Sequence, residues 1–424
     1  MTMTWQQRWE AIEKAGGMNA YIRQQLNERG FMVERKSTDK MSAAALKRYK
    51  AELKKEAAEK RKIKQEAWKV YKATHIVHLG EGIYWHDEMA GDQWDLQDAE
   101  KRLLENNLPV LIKAPQLAEA LELSISELRH LCYQREAATL THYTRFEIPK
   151  RSGGNRAIWA PRPQLKQAQR WILDNILERL LVHGSAHGFL PGRSIASNAA
   201  QHSDSRVLVK MDIADFFPTV SWKRVRGVFR KAGYGEQIAT LLALLCTESP
   251  REVIEDQGQT YFIAMGDRCL PQGAPTSPAL TNALCLKLDR RLSGLAQKLG
   301  WRYTRYADDL AFSLPAKSKG EPAISQLLGS VHSIVCDEGF QVNAEKTRII
   351  RQGRSQTVTG LVVNDKHGPR VNRKLKRQMR AAIHNLNQGK PLPEGESLQR
   401  LRGYAAYIAM TDRKLGMEML QKLG

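Results

Sequence analysis

The chain has 424 residues, with 66 Lys and Arg against 45 Asp and Glu, a formal net charge of +21. That length allows two or three domains around a buried core, and the charge favours a polyanionic partner over a merely soluble basic protein. No run of about 18 uncharged apolar residues is present, so no membrane span is expected. The five cysteines, Cys132, Cys246, Cys269, Cys285 and Cys336, form no CxxC pair. This argues against a zinc site or disulfide framework and for a reducing cytoplasm. Met1 to Gly17 has no apolar core and does not read as a signal peptide.

Residues 1–107 read as a separate, mainly helical N-terminal region. Met41 to Lys72 lacks Pro and Gly, and Leu46, Tyr49, Leu53 and Ala57 recur at helical spacing, which predicts one long amphipathic helix. Glu34 to Lys72 holds 14 basic and 6 acidic residues, whereas Glu81 to Glu105 is strongly acidic. The basic helix could dock RNA or a protein partner, or the two segments could pair with each other. Beyond Pro109 and Pro115, Leu117, Leu121, Leu128 and Leu131 predict two short helices broken near Ser124, a helix-turn-helix pattern whose commoner role is packing.

From Tyr143 the pattern is mixed α and β. Val207 to Met211 is an apolar strand running into Asp212. Val225, Val228, Phe229 and Ala232 share a helical face that Gly233 ends. Ser277 as N-cap and Pro278 in the first turn predict a helix continued by Leu280, Leu284, Leu288 and Leu292 to about Gly300. Arg302 to Tyr306 and Leu310 to Leu314 predict two strands around an Ala307-Asp308-Asp309 turn. Lys366 to Arg402 holds ten basic residues against Glu394 and Glu396.

Two adjacent acids at a hairpin tip are ordinarily solvated turn residues. Here, however, Asp212 ends a separate apolar strand about a hundred residues earlier, whereas Asp215 reads as structural, a helix cap. Three carboxylates brought from strand ends are what a pair of magnesium ions requires. Mg²⁺ takes hard oxygen ligands, and two ions about 4 Å apart can activate an attacking hydroxyl and stabilise a leaving pyrophosphate.

Tyr306-Ala307-Asp308-Asp309, with Asp212 upstream and Leu270 to Pro278 (LPQGAPTSP) between them, resembles the reverse transcriptases. The resemblance runs from about Pro109 to the C-terminus. It implies an α+β right-hand polymerase, with fingers and an antiparallel palm over 108–363 and a helical basic thumb over 364–424, preceded by the helical region 1–107. It implies catalysis by Asp212, Asp308 and Asp309, with two Mg²⁺ held by Asp212, Ile213, Asp308 and Asp309. Ile148 to Ile158 (IPKRSGGNRAI) resembles the fingers hairpin, so Lys150 and Arg156 are implied to hold the incoming deoxynucleoside triphosphate. Phe217 stands at the family's sugar gate, with Phe216 as core. Gln272 and Gly273 stand where the family contacts nucleotide and template. Lys346 matches a lysine implied to protonate the pyrophosphate.

Asn198 to His202 (NAAQH) resembles the NAxxH element of retron enzymes, and Val358-Thr359-Gly360, opening a strand read over Val358 to Val363, resembles their VTG element. A retron-type enzyme is implied to copy a cognate structured non-coding RNA from the 2′-hydroxyl of an internal guanosine. The product is a branched RNA–DNA hybrid, msDNA, and the unit serves antiphage defence with an effector protein. Nucleic-acid contacts are expected at Asn198, His202, Thr359, Gly360, Arg373, Lys374, Lys376, Arg377 and Arg380. The alternatives are a defence-associated or diversity-generating reverse transcriptase, and a nucleoprotein scaffold that holds an effector; the intact aspartates speak against a pure scaffold.

Overall fold

The computed structural model describes residues 5–28, 36–83, 98–149, 153–392 and 395–424. Lys150 and most of the acidic run lie outside the described residues. The chain divides into two compact units, Met1–Val77 and His78–Gly424.

The first unit is helical: α1 (Trp5–Lys14), α2 (Met18–Glu28) and the 32-residue α3 (Ala43–Thr74). Ser42 caps α3, its hydroxyl accepting from the Ala45 amide at 3.3 Å. Leu46, Tyr49, Leu53 and Ala57 form the half-buried stripe that their spacing predicts.

Residues 78–83 and 98–107 pack within the second unit, so the division stands ahead of residue 107. The Gln134 amide donates to the Leu79 carbonyl, and Leu79 and Leu103 are buried. Gly233 ends the helix Trp222–Ala232 in the left-handed region, where a Cβ would meet the Ala99 carbonyl at 2.5 Å. Ser124 caps the helix Ile125–Cys132 in a reciprocal box with Glu127. Leu117, Leu121, Leu128 and Leu131 are all buried, so this helix pair serves packing.

The strands are β1 (Ala137–Ala138), β2 (Tyr143–Pro149), β3 (Asn155–Pro161), β4 (Ser205–Asp212), β5 (Arg251–Asp256), β6 (Gln259–Ala264), β7 (Arg302–Tyr306), β8 (Asp309–Pro315), β9 (Arg348–Arg351), β10 (Thr357–Val358) and β11 (Leu361–Val362). A four-stranded sheet of order β7-β8-β4-β9 is antiparallel throughout. It is the sheet the resemblance assigns to a palm. β2 and β3 form the expected hairpin before it.

One face of the sheet, through Leu208 and Ala311, shares a buried cluster with Val358, Leu361, Val363, Met379, Ile383, Leu401, Ala405 and Ile408. That cluster ties the C-terminal helices Arg373–Asn387, Leu398–Ala409 and Arg413–Lys422 to the palm.

Four local expectations change. The helix after Thr276 comes in two segments, Ser277–Leu284 and Leu286–Lys298, which meet at Cys285. Thr281 bonds back to the Ser277 and Pro278 carbonyls, a pattern that bends helices. Thr276 takes the N-cap position, while the Ser277 hydroxyl donates to Pro271. Val358 to Val363 is a hairpin rather than one strand, because Thr359 (φ 46°) and Gly360 (φ 83°) both turn left-handed. Asp215 caps no helix: it is an exposed turn residue at φ 44°, and the next helix starts after Ser221.

Candidate active site

Asp212 ends β4 and Asp309 begins β8, and the two face each other in the ladder. Directly opposed residues of an antiparallel pair lie about 4.5–5.5 Å apart at Cα. The Ile213 amide donates to the Asp308 carbonyl at 3.0 Å, which brings Asp308 to the same edge. Tyr306 pairs with Asp309, so the turn is only Ala307-Asp308, with Ala307 at φ 56°.

Burial holds the Asp308 carboxyl above its ordinary range, and Asp212 and Asp309 push it further. Burial likewise raises Asp309, with Asp212 adding to it and Lys210 and Lys346 opposing. Carboxylates that disfavour their own ionised form are what a cation would relieve.

Among the described residues, no three His, Cys, Asp or Glu side chains are arranged to hold a metal ion together. Like charges at this junction repel, and Asp212 instead takes the Lys346 ammonium, Nζ to Oδ2 at 2.9 Å. That contact keeps Lys346 protonated, holding it above its ordinary value. The donor set still fits magnesium: it is all hard oxygen, and Asp212 already accepts a cation. The side chain of Ile213 is apolar and buried, so only its carbonyl could be a ligand.

A buried network that the motifs did not reveal holds the turn in place. Arg305 donates to the Asp289 carboxylate through Nε and Nη2, with the shortest contact 2.7 Å, and both side chains are fully buried. Another Arg305 nitrogen donates to Asn282 Oδ1 at 3.0 Å and to the Ala307 carbonyl at 3.2 Å, inside the turn. Asn282 in turn donates to the Gly188 carbonyl at 2.9 Å. A Cβ on Gly188 would meet the Ala307 amide nitrogen at 2.8 Å, so only glycine allows this approach. Phe189 lies beside Tyr306, ring centroids 6.2 Å apart. The one signal available in the sequence was a charged residue, Arg305, inside an otherwise buried strand.

Phe217 is half-buried with its ring 5.6 Å from Phe216, which is buried as expected. Arg156 is exposed on β3. The Trp159 amide donates to the Gln272 carbonyl at 2.7 Å, and Gly273 (φ 129°) leaves no room for a Cβ beneath the Trp159 carbonyl. These contacts seat the fingers hairpin on the LPQG loop.

Asn198 and His202 do not reach a nucleic-acid surface: both are buried. His202 bonds Ser313 of β8 through Nδ1 and Thr304 of β7 through Nε2, each at 2.7 Å, beneath the hairpin that carries Asp308 and Asp309. Thr359 donates to the Ile195 carbonyl at 3.0 Å, and Tyr407 donates to the Gly360 carbonyl at 3.2 Å. The NAxxH helix (Ile195–Ala200) and the VTG turn therefore pack together between palm and thumb.

Burial, with Arg302 and His187 adding, pushes His202 down to about 3, and burial with Arg193 takes His187 down to about 4. Both stay neutral in the fold and protonate on unfolding. Stability is therefore full above the ordinary value near 6.5 and falls as pH drops toward those values. Urea unfolding of His202→Gln should show a shallower fall between these limits, by about 1.4 kcal/mol per pH unit. An unchanged slope would contradict a neutral, buried His202.

Arg373, Lys374, Arg377 and Arg380 are exposed on the first thumb helix, and Lys376 pairs with Asp412 at 3.1 Å. Arg373, Lys376, Arg377 and Arg380, with Arg354 and Arg370, line a groove of about 730 Å³. It opens beside the loop after β9. Arg351 there lies opposite Val207, five residues along β4 from Asp212, roughly 17 Å away. Among the described residues, no helix is long and apolar enough to cross a membrane.

A family model described as reverse transcriptase (RNA-dependent DNA polymerase) matches residues 148–365. The chain is 49% identical over 426 residues to the retron Mx162 reverse transcriptase of Myxococcus xanthus, covering 98% of this chain and 88% of that one. It is 42% identical to the retron Mx65 reverse transcriptase of the same organism, over 74% of this chain and 72% of that one. To the retron Ec86 reverse transcriptase of Escherichia coli it is 33% identical, over 74% and 89%. A solved telomerase structure from Candida albicans overlays 66% of this chain and 56% of that one at 11% identity, with a TM-score of 0.38, a likeness too weak to bear on the fold.

Proposed function

The chain belongs to the retron-type reverse transcriptases and is an RNA-directed DNA polymerase, and from that premise we propose that it copies part of a cognate structured RNA into DNA. Synthesis starts from the 2′-hydroxyl of an internal guanosine and leaves branched msDNA. The observation that carries the reading is the convergence of Asp212 with the Asp308–Asp309 turn in a chain so similar to retron enzymes from end to end.

Two magnesium ions on Asp212, Asp308, Asp309 and the Ile213 carbonyl would supply the charge that activates the attacking hydroxyl and stabilises the leaving pyrophosphate. The protein's own part is positioning. Arg305 and Gly188 fix the turn from behind, and His202 fixes its strands from below. Arg156 and Lys150 neutralise the incoming triphosphate, and Gln272 contacts the nucleotide. Lys346 Nζ, protonated beside Asp212, hands a proton to the departing pyrophosphate. The thumb groove lies away from the reaction and suits the phosphates of a folded RNA element flanking the template.

Phe217 is read as the sugar gate, five residues after Asp212, where its ring would meet a 2′-hydroxyl. Phe217→Val should raise ribonucleotide incorporation relative to deoxynucleotide by about tenfold or more, since a steric clash is removed. An unchanged ratio would make the ring packing only.

The reading extends to a cytoplasmic unit of antiphage defence, in which enzyme and msDNA hold an effector protein; the family resemblance supports that part. The test of the whole is the nucleic acid that copurifies with the full chain. It should consist of one defined RNA and DNA complementary to part of it. A random sample of cellular RNA would count against it.

A further inference from the structure

The C-terminal half of α3 carries charge and aromatic rings in one pattern. Lys60 to His75 holds six Lys and Arg against Glu66 alone. Arg61, Lys64, Trp68, Tyr71, Lys72 and His75 recur at three- and four-residue steps and so share a helical face. Glu66 lies about 160° round the helix from Trp68 at 3.6 residues per turn. None of α3 is buried: Trp68 is 48% exposed and Tyr71 46%.

The rings on this face form a ladder. Trp68 and Tyr71 stack with centroids 5.7 Å apart and planes within 11°. Tyr71 and His75 stack at 4.1 Å and 3°. The His75 ring is held by Nδ1 contacts to the Thr74 hydroxyl at 2.9 Å and the Tyr71 carbonyl at 3.2 Å. Lys72 Nζ sits 5.7 Å from the Trp68 ring centroid. Stacked, solvent-exposed rings between cations are poorly suited to an apolar helix partner, which would prefer the opposite side with Ile63 and Val70. They match the two needs of an unpaired polynucleotide, a surface for stacking bases and charge along the backbone.

We propose that the Arg61–His75 face of α3 binds single-stranded RNA, stacking bases against Trp68, Tyr71 and His75 while Arg61, Lys64 and Lys72 follow the phosphates. The choice of RNA over DNA rests on the reading of the chain as an RNA-copying enzyme; the stacking strip does not.

The test uses the full chain and an unstructured oligouridylate bearing photoreactive thiouridine, with oligothymidylate as the second arm. Crosslinks should map to the peptide containing Trp68 and Tyr71. Trp68→Ala with Tyr71→Ala should lower crosslinking there by about tenfold or more at unchanged salt dependence, since stacking carries no counterion release. Trp68→Phe with Tyr71→Phe should retain most of it. Arg61→Glu with Lys72→Glu should lower it and flatten its salt dependence. Crosslinks confined to His78–Gly424, or equal yield in the alanine pair, would overturn the proposal. So would loss of a bound effector protein with RNA crosslinks intact, which would make the face a protein dock. Preference for the thymidylate arm would overturn the choice of RNA. Synthesis on a pre-annealed primer–template is measured in the parent chain alongside, and its absence would strike the polymerase reading rather than this one.

Discussion

Asp308→Asn and Asp309→Asn should each abolish DNA synthesis and leave the protein folded. Asn keeps the shape of the side chain and removes the charge that a metal ligand needs. Losing such a ligand removes several kcal/mol of transition-state stabilisation, and each 1.36 kcal/mol is tenfold in rate. Deoxynucleotide incorporation on a primed RNA template with magnesium should therefore drop by at least about a hundredfold. Activity within tenfold of the parent would sink the assignment.

The fold should bear the change well. Both carboxyls are held above their ordinary range, chiefly by burial. A carboxyl raised in this way contributes stability at low pH that is lost as pH rises through its folded value. At neutral pH the ionised pair is thus a cost, and removing one charge should leave the melting temperature equal or higher. Asp289→Asn is the contrast. It would leave Arg305 buried and unpaired, a change that typically costs about 3–5 kcal/mol. Two kinds of aspartate a few residues apart in space thus have opposite energetics, one paired for the fold and the other strained for the reaction.

The reacting residues were legible because their signals are local. An apolar run ending in Asp212, and two strands around Ala307 and Asp308, say where carboxylates leave a sheet. Period-two and period-3.6 patterns likewise placed β4, α3 and the helix that Gly233 ends. What was hidden depends on partners far along the chain. Arg305 finds Asp289 sixteen residues earlier on a helix; its place in a strand marks the arginine, but nothing marks Asp289 as its partner. His202 looked like a polar helix residue suited to RNA, yet it inserts under strands about a hundred residues away and spends both ring nitrogens there. The VTG triplet sits in Val358 to Val363, a run that reads as strand. Two successive left-handed residues make it a turn, and the second is a glycine that can adopt that conformation without strain. The kink at Cys285 was equally silent, since the leucine spacing runs through it.

These corrections sharpen the function. Asn198 and His202, both buried, are better read as part of the seam that sets thumb against palm than as groups touching RNA, and Thr359 and Gly360 bond across the same seam. The groups left to hold nucleic acid are the cations of the thumb groove and, by the inference drawn from α3, the N-terminal strip. The thumb groove lies apart from the aspartates, so contacts there would hold the nucleic acid without entering the reaction.

The most direct test of the account is the chemistry of the join between product and template. The protein is expressed with its proposed cognate RNA, and the DNA is isolated and treated with a debranching enzyme specific for 2′,5′ linkages. The account predicts DNA attached to RNA, released as free single strands by that enzyme, and absent when Asp309 is replaced by Asn. Unbranched DNA extended from an ordinary primer 3′-end would contradict it.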